Sequence, residues 1–88
     1  MHISSDQHSE KPWIMHCEVY FQGILLGRVT EVNEELGYAV RYVTENGRIV
    51  VDEKGIPTTE TVFGEVSITM RSSAPAWALE LYNKERQQ

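Results

Sequence analysis

Gly37 to Asp52, GYAVRYVTENGRIVVD, sets Asn46 and Gly47 between two apolar-rich runs. An Asn-Gly pair in that position is the strongest short-range signal for a two-residue type I′ hairpin, because both central residues need positive φ. Counting outward from the turn predicts Glu45 opposite Arg48, Val43 opposite Val50 and Arg41 opposite Asp52 on one face. Thr44 then meets Ile49, and Tyr42 meets Val51, on the other. The opposite-charge pairs lie directly across the ladder, which favours this register by roughly 0.2 to 1 kcal/mol each.

On the C-terminal side, EKGIPTT (53–59) carries Gly55 and Pro57 and reads as a surface loop. A strand is predicted from Glu60 to Arg71. Val62, Val66, Ile68 and Met70 alternate with Thr61, Glu65, Ser67 and Thr69, and Gly64 marks a bulge or a close approach. Phe63 breaks the pattern by falling on the polar side. Beyond it, Ser72 or Ser73 can cap a helix that accepts Pro75 in its first turn and runs from about Ala74 to Arg86. Ala74, Trp77, Ala78, Leu81 and Tyr82 form its apolar stripe.

On the N-terminal side, Asn33 to Gly37 reads as a turn. Trp13 to Phe21 alternates cleanly, with Trp13, Met15, Cys17, Val19 and Phe21 on one side and Ile14, His16, Glu18 and Tyr20 on the other. Gln22 and Gly23 turn the chain into a second strand, Ile24 to Val32, whose phase is broken at Gly27. Residues 1–12, MHISSDQHSEKP, read as a flexible polar leader. The expected organisation is therefore a leader (1–12), a β-meander (13–71) and a C-terminal helix (72–88) in one domain. The fold class is α+β, mainly β: a five-stranded antiparallel meander, strongly bent or closed into a barrel, with the helix packed on it. The pattern resembles SH3-like barrels in strand count and length alone, and no family motif accompanies it.

Eighty-eight residues allow one core that buries about 60 to 65% of the unfolded chain's surface. The net charge is −5. Residues 1–36 hold most of it, with Asp6, Glu10, Glu18, Glu31, Glu34 and Glu35 against Lys11 and Arg28. No Lys/Arg cluster appears, which argues against phosphate-backbone binding. No apolar run reaches the roughly 18 residues of a membrane span, and the leader lacks the build of a secretory signal. A cytoplasmic location is the expectation.

Catalytic groups do not converge in the sequence. His2, His8 and His16 lack metal-ligand spacing, and His16 cannot serve Cys17 because neighbouring strand residues face opposite ways. Glu31, Glu34 and Glu35 read as a solvated acidic turn. No cofactor, metal or catalytic residue is expected. What the core leaves over is apolar: Ile14, Tyr20, Leu25 and Phe63 on outward strand positions, and Leu79 off the helix stripe. These are the protein-binding candidates. The expected function is a non-enzymatic protein-interaction module whose partner is another protein or a second copy of itself. The alternative is a single-stranded nucleic-acid-binding small β-barrel using Tyr20, Phe63 and Tyr38 as stacking rings. Small size, acidity and the lack of motifs are also common among accessory or inhibitor proteins of phages and mobile elements, which is an association only.

Overall fold

The computed structural model describes residues 1–87, so Gln88 of the expected helical segment lies outside the described residues. The chain is mainly β, with antiparallel sheets and one C-terminal helix, as the patterning predicts. In order, the strands are β1 (His2–Ser4), β2 (Cys17–Phe21), β3 (Ile24–Leu26), β4 (Val29–Asn33), β5 (Tyr38–Tyr42), β6 (Thr44–Glu45), β7 (Arg48–Ile49), β8 (Thr59–Phe63) and β9 (Val66–Met70). The helix α1 (Ala76–Arg86) follows. A four-stranded sheet in the order β1-β4-β5-β8 faces a three-stranded sheet in the order β3-β2-β9, and β6 and β7 form a small arm.

The two long predicted strands each turn a corner and serve both sheets. Ile24 to Val32 divides at Gly27–Arg28 into β3 and β4. Glu60 to Arg71 divides at Gly64–Glu65 into β8 and β9. Gly64 carries φ +153°, and its amide donates to the Gly37 carbonyl at 2.9 Å. The corner is two residues long, so the alternation keeps its phase across it. Val66 and Ile68 are buried, and Val62 and Met70 pack against the same core.

The Asn-Gly turn forms as expected, with φ +52° at Asn46 and +78° at Gly47. Thr44 faces Ile49, Glu45 faces Arg48, and the Val50 amide donates to the Val43 carbonyl. Further out the predicted register is replaced. Arg41 lies opposite Glu60 rather than Asp52, and Tyr42 opposite Thr59 rather than Val51. β5 had two candidate partners, and pairing with β8 sets Val62 beside the fully buried Ala39, whereas Val51 and Asp52 bury little. The surface loop expected over 53–59 forms up to Thr58, with Thr59 opening β8, and it is internally hydrogen-bonded. Asp52 accepts the Lys54 and Ile56 amides through its carboxylate, and Val51 bridges to Pro57.

The flexible leader expected over residues 1–12 is replaced by structure. β1 pairs with β4, setting Ile3 opposite Val32, and Ile3 is buried. Burying one isoleucine is worth about 1.5 to 3 kcal/mol, which offsets roughly half of the backbone ordering cost of a three-residue strand. Pro12 to His16 form a 3₁₀ turn instead of the start of β2, with proline in its first position, where the missing amide costs nothing. This turn sends Trp13 into the core and leaves Met15 outside it.

The helix is also shifted from its expected start. Pro75 itself is the N-cap residue, and neither Ser72 nor Ser73 caps it. The buried line runs through Ala78 and Tyr82, with Tyr82 edge-on to Trp13 at 5.9 Å. Trp77, predicted in the core, is 47% exposed and rests edge-on against His16 at 5.5 Å.

Candidate functional site

Alternation about Ala39, Val32 and Val62, which face the core, places Tyr38, Val40 and Tyr42 of β5 on the outer face of the four-stranded sheet. Thr59, Thr61 and Phe63 of β8 lie beside them. Phe63 sits directly across from Tyr38 and is 74% exposed. The next strand adds Glu31, whose Oε2 accepts the Tyr38 hydroxyl at 2.6 Å and meets His2 Nε2 at 2.8 Å. The result is an aromatic and β-branched face on β5 and β8, bordered by an acidic strand. Leu36, in the adjoining turn, is also exposed.

The sequence-predicted surface residues divide among several places. Tyr20 and Leu25 are cross-strand partners on the outer face of the three-stranded sheet, with the Tyr20 hydroxyl donating to Glu18 at 3.3 Å. Ile14 is half-buried in the 3₁₀ turn and lines a cleft that also reaches Leu25. Phe63 belongs to the other sheet. Leu79 is exposed on α1, on the opposite flank from Trp77. Tyr38 was grouped with Phe63 only as a stacking ring in the nucleic-acid alternative, and Val40 and Tyr42 were missed, because their company depends on the β5–β8 register and not on any local pattern.

The acidic turn is only partly solvated: each carboxylate has a partner, and Glu34 is withdrawn to 17% exposure while Glu35 keeps 66%. Glu34 receives Arg86 Nη1 at 2.8 Å, Arg86 Nη2 at 2.9 Å and the Ile68 amide at 2.9 Å. Glu35 pairs with the Met1 ammonium, and Glu31 is held as above. Burial pushes the Glu34 carboxyl upward, but the Arg86 fork and the Ile68 amide outweigh it and hold it below its ordinary value near 4.5. The Tyr38 hydroxyl, followed by His2, does the same for Glu31.

Both groups therefore bind protons more weakly in the folded state than in the unfolded chain. Their stabilisation is complete above about pH 4.5 and is lost as pH falls through the lower folded values. Thermal melts should give a steady midpoint from neutrality to about pH 5 and a progressive fall below it. A midpoint unchanged down to about pH 3 would contradict this coupling.

Burial is the main reason the Cys17 thiol is pushed up to about 11, against the pull of Arg86 and Arg71, so it stays protonated at neutral pH. Its Sγ lies 3.5 Å from Met70 Sδ, and His16 turns instead to Trp77. Among the described residues, no group of three or more His, Cys, Asp or Glu side chains is placed to hold a metal ion, and no helix is long and apolar enough to cross a membrane. In comparisons with family models, curated proteins and solved structures, nothing matches this chain.

Proposed function

We propose that this chain is a non-enzymatic protein-interaction module that pairs with a second copy of itself along β8. The observation that carries this reading is the condition of that strand. β8 is a five-residue edge in which only Val62 is sheltered, and Phe63 stands out from it. The usual edge defences are missing: β8 holds no lysine and no proline, and its one charge, Glu60, is engaged by Arg41 Nε at 2.7 Å. The outer edge of β9, by contrast, is occupied by Glu34, Tyr82 and Arg86, which bond the Ile68 amide and carbonyl.

The register of such a dimer follows from the ladder. The Val43 amide bonds the Thr58 carbonyl and the Gly64 amide bonds the Gly37 carbonyl, so even-numbered residues of β8 turn their backbone groups toward β5. Thr59, Thr61 and Phe63 therefore turn theirs outward. An antiparallel twofold centred on Thr61 sets Thr59 against Phe63 of the other copy and Glu60 against Val62, so no like charges meet. The aromatic faces of the two sheets then become continuous, in keeping with the enrichment of Tyr and Phe at interfaces.

Light scattering should report about twice the 10.1 kDa chain mass. Phe63→Glu should return the protein to the single-chain mass, as should Thr61→Lys, which brings two lysines face to face at the twofold. A wild type that stays at the single-chain mass at high concentration would overturn the reading, as would variants of undiminished mass.

The row of Tyr38, Tyr42 and Phe63 favours one rival, a stacking platform for single-stranded nucleic acid. Glu31 borders that row and repels phosphate. Oligonucleotide binding that weakens steeply with salt would support this rival over the dimer.

A further inference from the structure

Between the two sheets, beside the free edge of β3, lies a cleft of about 650 Å³. That volume is within the range of small-molecule sites. Ile3, Ile14, Val19, Leu26, Val29 and Val32 make its apolar wall. Leu25, one of the surface residues singled out from sequence, stands at its margin.

The cleft is also lined by Arg28 and Arg71, and among the described residues neither forms an ion pair. Among the described residues, five of the eight Lys and Arg side chains form no ion pair, and two of those five, Arg28 and Arg71, line this one cleft. Arg28 adds a second observation. It sits at φ +59°, in the left-handed region that glycine takes freely and arginine takes at a cost, directly after a glycine. A glycine there would relax the turn, so the side chain is retained against backbone preference, the kind of outlier found at ligand clamps.

Glu18 and Glu31 also line the cleft. Glu18 accepts from Tyr20, and Glu31 is held by Tyr38 and His2. With the two arginines they make the lining formally neutral, and they repel a second negative charge on any occupant.

We infer that this cleft binds a small amphipathic monoanion, an alkyl chain ending in a carboxylate, with the chain along the Ile3–Val19–Val32 wall and the carboxylate at Arg28 and Arg71. The site is separate from the β8 edge and does not depend on the dimer.

Calorimetric titration with decanoate, below the concentration at which it forms micelles, tests the inference. Saturable binding at one decanoate per chain is expected. Decanol, which keeps the chain and lacks the charge, should bind at least tenfold more weakly. Arg28→Gly should raise the dissociation constant about tenfold, which corresponds to about 1.4 kcal/mol, without lowering the melting temperature. Arg71→Gln should weaken binding similarly, and Phe63→Glu should leave it unchanged, which separates this site from the proposed dimer. Absence of saturable binding up to millimolar decanoate would overturn the inference. So would equal affinity for decanol, or indifference to both arginine substitutions.

Discussion

Replacing Arg86 with alanine should lower the melting temperature by about 8 to 16 °C, corresponding to about 2 kcal/mol in a domain of this size. Arg86 is a rivet between three parts of the fold. Its Nη1 and Nη2 grip Glu34 in the turn after β4, its Nη2 reaches the Ile68 carbonyl on β9 at 2.5 Å, and its Nε meets the Tyr82 hydroxyl at 2.7 Å. Tyr82 donates to the same Ile68 carbonyl at 2.8 Å, and Glu34 accepts the Ile68 amide. Removing the guanidinium leaves the Glu34 carboxylate, 17% exposed, without its strongest partner. Breaking a fully buried pair in this way costs about 3 to 5 kcal/mol. Arg86 keeps 37% of its side-chain surface in water, and that screening brings the figure down.

Two companion variants separate this network from simple packing. Arg86→Lys should recover only part of the loss, because a point charge cannot span Glu34, Ile68 and Tyr82 at once. Glu34→Gln combined with Arg86→Ala should cost less than the sum of the two, since each single change already breaks the same contact. A melt of Arg86→Ala within about 2 °C of the wild type would show that the helix is held by Trp13, Ala78 and Tyr82 alone.

The rivet illustrates what the sequence could and could not convey. Alternation in Cys17–Phe21 and across Val62–Met70 is a local signal, and it placed the correct side chains inward even where the chain changes sheet. The Asn46-Gly47 turn is local too, and it formed. The helix stripe held at Ala78 and Tyr82 and was too wide at Trp77 and Leu81, because 77/81 and 78/82 both satisfy helical spacing. The choice between them depends on how close the helix comes to the sheet and the 3₁₀ turn. Fully buried Ala78 allows a close approach, which leaves the larger Trp77 and Leu81 at the margin. Ile3 was overlooked because a strand of three residues in a polar segment gives no periodicity to detect.

The candidate surface divides along the same line. Phe63 was legible as an apolar residue on the polar side of its strand, and it is among the most exposed large apolar side chains in the fold. Its neighbours Tyr38, Val40 and Tyr42 come from a pairing between segments far apart in sequence, where two partners for β5 competed. The cleft that joins Ile14 to Leu25 required both corners, at Gly27–Arg28 and Gly64–Glu65, before it existed at all. Corners read as bulges leave a single curled sheet; corners that transfer the chain between sheets create an interior with two walls.

Gly37→Ala should be more damaging still to the region that carries Phe63, costing about 3 kcal/mol and lowering the melting temperature by about 12 to 24 °C. Gly37 holds φ +74°, which alone costs a residue bearing a Cβ about 1 to 2 kcal/mol. The added Cβ would also lie 2.9 Å from the Gly64 carbonyl oxygen, and that atom is backbone, unable to rotate away. Relief would have to come from parting the start of β5 from the end of β8, where the Gly64 amide bonds the Gly37 carbonyl. Gly47→Ala is the matched control. Its φ is +78°, yet nothing lies within 4 Å of the new Cβ, so only the conformational cost, about 1 to 2 kcal/mol, should appear. The difference between the two melts isolates the close approach. Because Phe63 precedes Gly64, Gly37→Ala should also weaken self-association at temperatures where the chain remains folded, while Gly47→Ala, out on the arm, should leave the solution mass unchanged. Equal melting temperatures for the two variants would mean that β5 and β8 can separate at this corner without cost, and the edge geometry proposed for pairing would lose its rigid end.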